Sequence, residues 1–590
     1  MIKIGDIAMK NTDYIKRIIL IFAFIFSIST FTACNSKNEE VDNDAVTENE
    51  VSTTEAVDET EDTTEEISNN EVIVSEQINE LFPDSEFIYY ENTEALQPYL
   101  DAADARREEI RNSKTEIIQS DEFIPGETYT GTAYYFSPNG DDNNDGLTPD
   151  TPKQNVYLLN DWKYDGTLKE GDAVFFERSQ EYRLTEGSID VTSYVTYSAY
   201  GEGRKPIFNC SMDNSAEEDL WELYYEGDDG NKIWKYSKEL QDVGGIVFDD
   251  ESYAKRIYEW PTPDGWLALD VVDRDPSRGN EGIYATINTD LFSTGEYRSV
   301  EDNLPEDMTY ISRVDIGDCE YPINFAGGYY DEDLIGDLYL RCDAGNPGIL
   351  FDDIEILSNP YGTNGNAFGT WECNGFVLDN LCIKYSLGPI DGWAEGTDIV
   401  IQNCEIGWQG SKLHEIPSDE PNIDYFLIGD GIYNVARNAV IRNNYMYQCA
   451  EGCTFEQSQG EIADMGNYTC TGNLMEKCGE GIRISWEDAD IFDTITLQDN
   501  IIVDCGYGFS NNDTEGYFSI DLGWSDVQYA KEFNISDNVC IRGKFGMVIM
   551  PANLETNFHD NVFIQDSDGA ICILGHEETG QGDWFMMQGN

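Results

Sequence analysis

The chain has 590 residues and a formal net charge of −80 at pH 7, with 115 Asp and Glu against 35 Lys and Arg. A chain of that length does not fold around one compact core, so it contains several domains or one elongated repeat. The negative charge argues against nucleic acid as a partner and against direct contact with an anionic membrane surface, because both would be repelled.

The N-terminal segment, residues 1–34, resembles the signal peptide of a bacterial lipoprotein. Basic residues precede an apolar run at residues 18–31, and the tetrapeptide Phe-Thr-Ala-Cys ends at Cys34. The run is shorter than the roughly 20 residues of a membrane-spanning helix. The resemblance implies that Cys34 is lipidated and begins the mature protein. We therefore expect the protein on the extracellular face of the bacterial cell membrane, held there through this lipid alone.

The next two segments lead to the folded body. Residues 35–75 are rich in Glu, Asp, Thr, Ser and Asn, and this like-charged composition predicts a disordered acidic tether. Residues 76–132 are predicted to be a helical or linker segment, because the stretch from Leu96 to Ile110 has the pattern of a helix.

Residues 133–208 resemble the opening of a known class of repeat protein. The stretch that starts at Ala133 reads AYYFSPNGDDNNDGLTPDTP, and it is followed by GDAVFF at Gly171 and YSAYGEGRKPI at Tyr197. These segments resemble the start of bacterial right-handed parallel β-helix proteins of the pectate-lyase-like superfamily, which implies a β-helix solenoid. The Asn/Asp/Gly-rich loop offers oxygen ligands for calcium, but its spacing does not match an EF-hand loop, so a turn is favoured.

Residues 209–357 interrupt this pattern. They contain Trp221, Trp234, Trp260 and Trp266 among short alternating runs. The interruption predicts an inserted β-rich subdomain that covers one end or flank of the solenoid. A packing insertion is favoured over a carbohydrate-binding module.

The strongest indication of a solenoid is a motif that recurs in residues 358–590. The pattern apolar-x-x-Asn-x-apolar places asparagine in equivalent slots 23 to 40 residues apart, which is the length of one coil of a three-sided solenoid. The slots hold Asn444, Asn473, Asn500, Asn538 and Asn561, and Cys404 takes the preceding slot. Each asparagine carries a donor and an acceptor, so a hydrogen-bonded ladder is expected. Cysteines that recur in these segments are predicted to fill the core.

A second short strand begins after a glycine in most coils. Strand alternation places the residue after the glycine inward and the next one outward. The predicted inward residues are Ile432, Cys453, Ile482, Phe509, Met547 and Ala570. The outward positions of neighbouring coils are then Tyr433, Thr454, Arg483 and Ser510, flanked by Glu451 and Glu480.

Candidate catalytic residues lie on these middle coils. Asp430, Glu456 and Glu487 are candidate acids and bases, because glycoside hydrolysis needs two carboxylates about 5 to 10 Å apart. Arg483 is a candidate base or clamp for β-elimination, although a surface salt bridge with Glu456 would equally account for it. The candidate sugar-binding residues are Tyr433, Trp408, Trp486 and Trp524, whose ring faces match the C–H faces of sugars.

The sequence therefore predicts a cell-surface, carbohydrate-active protein with a polysaccharide as its partner. A glycoside hydrolase is favoured over a pectate-lyase-type polysaccharide lyase, because few Lys or Arg residues near the face would offset the charge of a polyuronate. A noncatalytic glycan-binding or adhesive protein stays open, since this fold hosts several activities. No cofactor is expected; calcium enters only if the protein is a lyase.

Overall fold

The computed structural model describes the chain from residue 85 onward, with internal gaps. The described ranges are 85–89, 93–257, 259–262, 265–268, 284–288, 297–314, 335–358, 366–370, 373–386, 388, 390–392, 396–410, 412–417, 422–434, 436–457, 465–486, 491–506, 518–522, 529–543, 545–549, 557–565, 570–574 and 585–588. The predicted signal peptide and tether lie outside these ranges. No helix in the described part is long and apolar enough to cross a membrane.

Three 10-stranded sheets form the sides of a solenoid, and their neighbouring strands are parallel almost throughout. In sheet 1 the strands are Ala133–Phe136, Ala173–Glu177, Thr196–Tyr200, Val377–Asp379, Val400–Gln402, Val440–Arg442, Gly466–Thr471, Phe492–Gln498, Ala530–Ser536 and Asn557–His559. In sheet 2 they are Glu181–Arg183, Ile207–Asn209, Cys382–Lys384, Glu405–Gly407, Tyr445–Tyr447, Leu474–Glu476, Ile501–Val503, Val539–Ile541, Val562–Gln565 and Glu86–Tyr89. In sheet 3 they are Ile189–Asp190, Phe368–Gly369, Ile390–Gly392, Ile432–Asn434, Glu451–Gln457, Glu480–Trp486, Phe518–Leu522, Phe545–Ile549, Ala570–Leu574 and Phe585–Gln588.

The core of the solenoid consists of apolar residues stacked in register from coil to coil. In sheet 1 the stacked residues are Leu378, Ile401, Ile441, Cys470, Leu497, Ile535 and Phe558, each at most 2% exposed. Burial of such side chains contributes about 1.5 to 3 kcal/mol each. The fold class predicted from the repeats, a right-handed parallel β-helix with an inserted β-rich subdomain, is confirmed.

The predicted asparagine ladder is confirmed by its hydrogen bonds. Asn473 Oδ1 accepts from the backbone N–H of Asn444 at 2.9 Å, and Asn473 Nδ2 donates to the Ile441 carbonyl at 3.1 Å. The same pattern repeats from Cys404, whose backbone N–H donates to Asn444, through to Asn561. Each asparagine is at most 1% exposed, so the ladder satisfies buried backbone groups at the corner between sheets 1 and 2.

The cysteines behave as predicted in the described part of the chain. The eleven cysteines whose side chains the structure describes are free, buried thiols. They are Cys210, Cys342, Cys373, Cys382, Cys404, Cys449, Cys453, Cys470, Cys478, Cys505 and Cys540.

The N-terminal segment runs along the outer face of sheet 2. Its strand Glu86–Tyr89 pairs in parallel with Val562–Gln565 in the last coil. The 3₁₀ turn Thr93–Leu96 and the predicted helix, Gln97–Asn112, follow. Apolar residues of this helix pack on sheet 2, and Arg107 forms a forked hydrogen bond with Glu476. The sequence repeats did not predict that the strand Glu86–Tyr89 pairs with the last coil.

The inserted subdomain is built from sheets that are antiparallel except where Lys255–Arg256 pairs in parallel with Thr309–Val314. Its main five-stranded sheet contains Trp221–Glu226, Lys232–Tyr236, Gly336–Arg341, Thr309–Val314 and Lys255–Arg256. Two smaller sheets contain Ser252–Tyr253, Val243–Phe248 and Ile354–Ser358, and Glu259–Thr262 and Gly265–Ala268. A further sheet pairs Tyr284–Asn288 of the insertion with Asn422–Ile428, which pairs in turn with Lys412–Pro417; these last two strands lie outside the insertion. The remaining described elements are the helices Leu158–Asp165, Val300–Asn303 and Pro347–Leu350, the 3₁₀ turn Glu218–Leu220, and the strands Ile118–Gln119 and Thr128–Tyr129.

Ion pairs and hydrogen bonds attach the insertion to the solenoid. Arg183 forms a bidentate ion pair with Glu355, with bonds of 2.7 and 2.8 Å, and Glu355 is 2% exposed. Asp250 accepts hydrogen bonds from Lys384 at 2.6 Å and Tyr385 at 2.9 Å. The insertion is therefore docked on the coils that precede the middle of the solenoid.

Candidate functional site

The candidate site lies where sheet 2 turns into sheet 3 on the middle coils. In three successive coils the residue before the corner glycine is a carboxylate: Asp430, Glu451 and Glu480. The backbone N–H of Ala450 donates to Gly429 O at 2.8 Å, and that of Glu480 donates to Ala450 O at 2.9 Å, which fixes the alignment. Neighbouring strands lie about 4.8 Å apart, so the carboxylates form a row, which we call the carboxylate ladder.

Glycine is required at this corner because the coils approach closely. A Cβ at Gly452 would lie 2.7 Å from the carbonyl oxygen of Gly481 and 3.1 Å from the buried Met475 side chain. A Cβ at Gly481 would lie 2.4 Å from the carbonyl oxygen of Ser519. Any side chain at either position would push the coils apart, which explains why glycine follows Glu451 and Glu480.

Glu451, at the centre of the ladder, is held by two polar side chains. Its Oε1 accepts a hydrogen bond from Arg483 Nη1 at 2.7 Å, and its Oε2 accepts one from the Thr454 hydroxyl. Glu451 is 6% exposed, Arg483 5% and Thr454 1%, so the group is largely removed from water. An ion pair in such a setting is strongly directional, and removal of one partner leaves an uncompensated buried charge.

A further carboxylate, Asp521, completes the cluster. It lies opposite Arg483 on the next coil and is fully buried. Tyr529 packs close to it: burial raises the pKa of Tyr529 well above its usual value, and the Asp521 charge raises it further. Among the described side chains of this group, Arg483 is basic, and Glu451, Glu480 and Asp521 are acidic.

The structure brings several of the predicted site residues together. Arg483 is at the centre, and Asp430 and Tyr433 lie half-buried on the coil before Glu451. The backbones of Glu456 and Trp486 lie on adjacent strands of sheet 3, in the pairs Glu456↔Ser485 and Gln457↔Trp486, but their side chains are not among those described. Glu487 and Trp524 lie outside the described residues. The assignments of Glu456, Glu487, Trp486 and Trp524 stay predictions.

Trp408 has a different position from the one expected of a sugar-stacking residue. Its ring is buried, with 3% exposed, and its Nε1 donates to Asp250 Oδ1 of the insertion at 2.8 Å. Tyr253 and Tyr447 pack against it, each with a ring-centroid distance of 6.1 Å. No ring face is left for a sugar, so Trp408 is removed from the candidate site and assigned to the attachment of the insertion.

The sequence pattern misplaced one coil, and with it Asp521. The pattern predicts Phe509 and Ser510, which lie outside the described residues, beside Ile482 and Arg483, but the strand that pairs there is Phe518–Leu522, with Ile520 inward. Further along, Met547 pairs with Cys572 rather than with Ala570. The glycine at Gly508 resembled the corner glycines, whereas the alternation of Ser519, Ile520 and Asp521 was the signal that would have found the strand.

The Asn/Asp-rich loop near the start of the solenoid is occupied by a lysine. Lys153 Nζ donates to the backbone carbonyls of Asp142 at 2.9 Å and Asn144 at 2.6 Å. The Asp142 side chain accepts from the backbone N–H groups of Gln154 and Asn155. These bonds stabilise the loop as a turn; whether it binds calcium stays a prediction. Within the described residues, no group of three or more His, Cys, Asp or Glu side chains is arranged to hold a metal ion.

Comparison with solved structures gives distant matches. A family GH136 lacto-N-biosidase from Eubacterium ramulus aligns with 74% of this chain and 67% of its own, at 14% identity and a TM-score of 0.29. A pectate lyase aligns with 71% of this chain and 68% of its own, at 9% identity and a TM-score of 0.26. A family 28 exopolygalacturonase from Yersinia enterocolitica aligns with 75% of this chain and 80% of its own, at 10% identity and a TM-score of 0.21.

The chain has the parallel β-helix fold. Likenesses with TM-scores this low carry no argument about this chain, whose fold follows from its own strand order. No protein-family model matches the chain, and no curated protein matches it.

Proposed function

We propose that this protein is a glycoside hydrolase that acts on a neutral extracellular glycan. The observation that carries the proposal is the direct opposition of Glu451 and Glu480 on adjacent coils, both largely removed from water, with Arg483 bonded to one of them. The strand spacing of about 4.8 Å is close to the roughly 5 to 5.5 Å between the carboxyl groups of retaining glycosidases.

In the proposed reaction the two carboxylates have different roles. Glu451, whose charge is paired with Arg483, attacks the anomeric carbon and forms a glycosyl ester. Glu480 donates a proton to the departing glycosidic oxygen. Glu480 then takes a proton from water as that water cleaves the ester, which returns both carboxyl groups to their starting states.

A neutral substrate follows from the charge of the site. Even with Glu480 protonated as the general acid, Glu451 and Asp521 outnumber the one described cation of this group, Arg483, so a polyuronate would meet net repulsion. Arg483 is also bonded to Glu451 at 2.7 Å, which stabilises its protonated form and opposes a role as the base of a lyase. A polysaccharide lyase is the weaker alternative on both grounds.

One observation supports the second candidate function, a noncatalytic glycan-binding protein. Glu451, Glu480, Arg483 and Asp521 are all at most 6% exposed, as expected of a network that stabilises the stack of coils. Turnover therefore has to be measured directly.

The test is product analysis with the full chain purified in detergent. The protein is incubated with galactomannan, arabinogalactan and polygalacturonate, and reducing ends are followed together with the ultraviolet absorbance of unsaturated sugars. Hydrolysis predicts reducing ends without new absorbance, and Glu480→Gln lowers the rate by about 10² to 10⁴-fold. The matched control is Glu532→Gln, which changes an exposed carboxylate on sheet 1. New absorbance would establish a lyase, and binding without any product would establish the noncatalytic alternative.

We also propose that Cys34 anchors the protein on the extracellular face of the membrane. The support is the sequence at residues 18–34, where an apolar run ends in Phe-Thr-Ala-Cys. In cells fed a radiolabelled fatty acid, the wild-type chain is expected to take up label and Cys34→Ser to lose it. Equal labelling of both would contradict the anchor.

A further inference from the structure

An exposed tyrosine stands at the N-terminal rim of sheet 3, the sheet that carries the carboxylate ladder. Tyr164 is 77% exposed, and its hydroxyl donates to Asp190 Oδ2 at 3.0 Å. Asp190 belongs to Ile189–Asp190, the first strand of sheet 3. The ring and the carboxylate therefore lie side by side at the end of the face on which the proposed reaction takes place.

The short helix that carries Tyr164 is fixed on the solenoid. Asn160 Nδ2 donates to Ser188 O at 2.9 Å, and Asn160 Oδ1 accepts from the backbone N–H of Asp190 at 2.7 Å. Leu159 is fully buried in the core, and Trp162 packs on Tyr134 with a ring-centroid distance of 4.9 Å. A ring on so well anchored a helix loses little conformational freedom when a ligand covers it.

A glycine lies beside this pair. Gly369 lies directly opposite Asp190 on the next strand. A Cβ at Gly369 would lie 3.1 Å from Asp190 Oδ1 and 3.3 Å from Ser188 Oγ, so any side chain there would crowd the carboxylate. The glycine therefore leaves the Asp190 carboxylate uncrowded on the side of the next strand.

This combination suits a sugar ring. The face of an aromatic ring packs against sugar C–H groups, and a carboxylate accepts hydrogen bonds from sugar hydroxyls. Lys163 Nζ lies 5.8 Å from the centroid of the Tyr164 ring, close enough for a cation–π contact that steadies the ring.

The strand register connects this rim to the ladder along one row. From Asp190 the row passes through Gly369, Asp391 and Tyr433 to Thr454, the residue that bonds to Glu451. Four strand-to-strand steps of about 4.8 Å give a length of about 19 Å. A chain that touched both ends of the row would span several sugar residues.

We propose that Tyr164 and Asp190 form a distal subsite for a neutral glycan chain, and that the ligand is a polymer or a long oligosaccharide. The course of the chain from this subsite to Glu451 rests on the proposed function. Binding at Tyr164 does not, because it is measured without turnover.

The experiment is affinity electrophoresis of the full chain in gels that contain galactomannan, arabinogalactan or polygalacturonate. The wild-type protein is retarded in at least one of the neutral gels. Tyr164→Ala weakens that binding roughly tenfold, and Tyr164→Phe, which keeps the ring, retains most of it. The matched control is Tyr224→Ala, which removes a 47% exposed tyrosine from the insertion.

Two results would overturn the proposal. One is equal retardation of Tyr164→Ala and the wild type; the other is no retardation of the wild type in either neutral gel. Retardation by polygalacturonate alone would also contradict a neutral ligand. If Tyr164→Ala weakens binding while the wild type releases no product, the subsite stands and the proposed hydrolase fails.

Discussion

The pair formed by Arg483 and Glu451 shows how burial changes the consequence of a single substitution. Both side chains are at most 7% exposed and their closest atoms are 2.7 Å apart. Lys531 and Asp493 make a contact of the same length on the surface, with side chains 59% and 56% exposed. The two pairs have the same contact distance and differ in their exposure to solvent, so a comparison of them isolates the effect of desolvation.

We predict that Arg483→Met lowers the free energy of unfolding by about 3 to 5 kcal/mol, because it leaves the Glu451 charge buried without its partner. The double variant Arg483→Met with Glu451→Met recovers much of that loss, since neither charge remains. Lys531→Met, the surface control, changes the free energy of unfolding by less than about 1 kcal/mol. Urea unfolding followed by circular dichroism measures all three variants. Equal effects of Arg483→Met and Lys531→Met would contradict the burial of the pair.

The thiols provide a second prediction at the residue scale. Burial raises the pKa of Cys210, Cys404 and Cys540 to about 12, and the thiolate is the form that reacts. At pH 8 the folded protein is therefore expected to leave these cysteines unlabelled by iodoacetamide, while denaturant exposes them to full labelling. Peptide mass spectrometry resolves the individual sites. Fast labelling of any of the three in the native protein would show that its coil opens.

At the scale of elements, the N-terminal segment acts as a strap across sheet 2. Its strand Glu86–Tyr89 pairs with the last coil, and its helix reaches back to Glu405, which bonds to Arg111 at 3.0 Å. Arg106 donates to the carbonyl oxygen of Gly472 at 2.7 Å between these two ends. The strap therefore contacts coils that are distant in sequence, and it covers the outer face of sheet 2.

We predict that Arg107→Glu lowers the melting temperature, because it replaces the forked hydrogen bond to Glu476 with repulsion between like charges. The charge-swapped double variant, Arg107→Glu with Glu476→Arg, restores most of the loss. Differential scanning fluorimetry measures both. A double variant no more stable than Arg107→Glu would show that the pair does not hold the strap.

The repeats predicted more of the solenoid than of the site. The asparagine slots from Asn444 to Asn561 were placed correctly, because a side chain with one donor and one acceptor satisfies the same buried backbone groups in every coil. The prediction that placed Phe509 beside Ile482 was wrong. Gly508 matched the corner pattern, although the strand that pairs with Ile482 begins at Phe518. Because that strand was not predicted, Asp521 was not among the predicted site residues. The prediction of Trp408 as a sugar-binding residue was wrong, because the sequence does not reveal that Asp250 of the insertion accepts a hydrogen bond from its ring.

At the scale of the whole molecule, the β-helix converts sequence repeats into a row of side chains at fixed spacing. Corner glycines let the coils stack closely, and the residue before each of them forms the carboxylate ladder. Asp190 lies at the rim of the same sheet, with Tyr164 on the helix beside it, and Asp190 is about 19 Å by strand spacing from Thr454, which bonds to Glu451 of the ladder. Reaction and binding are thus proposed on one continuous face, which suits a polymeric substrate.

The measurement that tests this account most directly is proton NMR of the first product released from a neutral polysaccharide by the full chain. Because Glu451 and Glu480 lie on adjacent strands about 4.8 Å apart, we predict that the new reducing end keeps the anomeric configuration of the cleaved bond. The product then equilibrates slowly to the anomeric mixture. A first product of inverted configuration, an unsaturated product, or no product in the presence of tight binding would contradict the assignment of Glu451 and Glu480 as the hydrolytic pair.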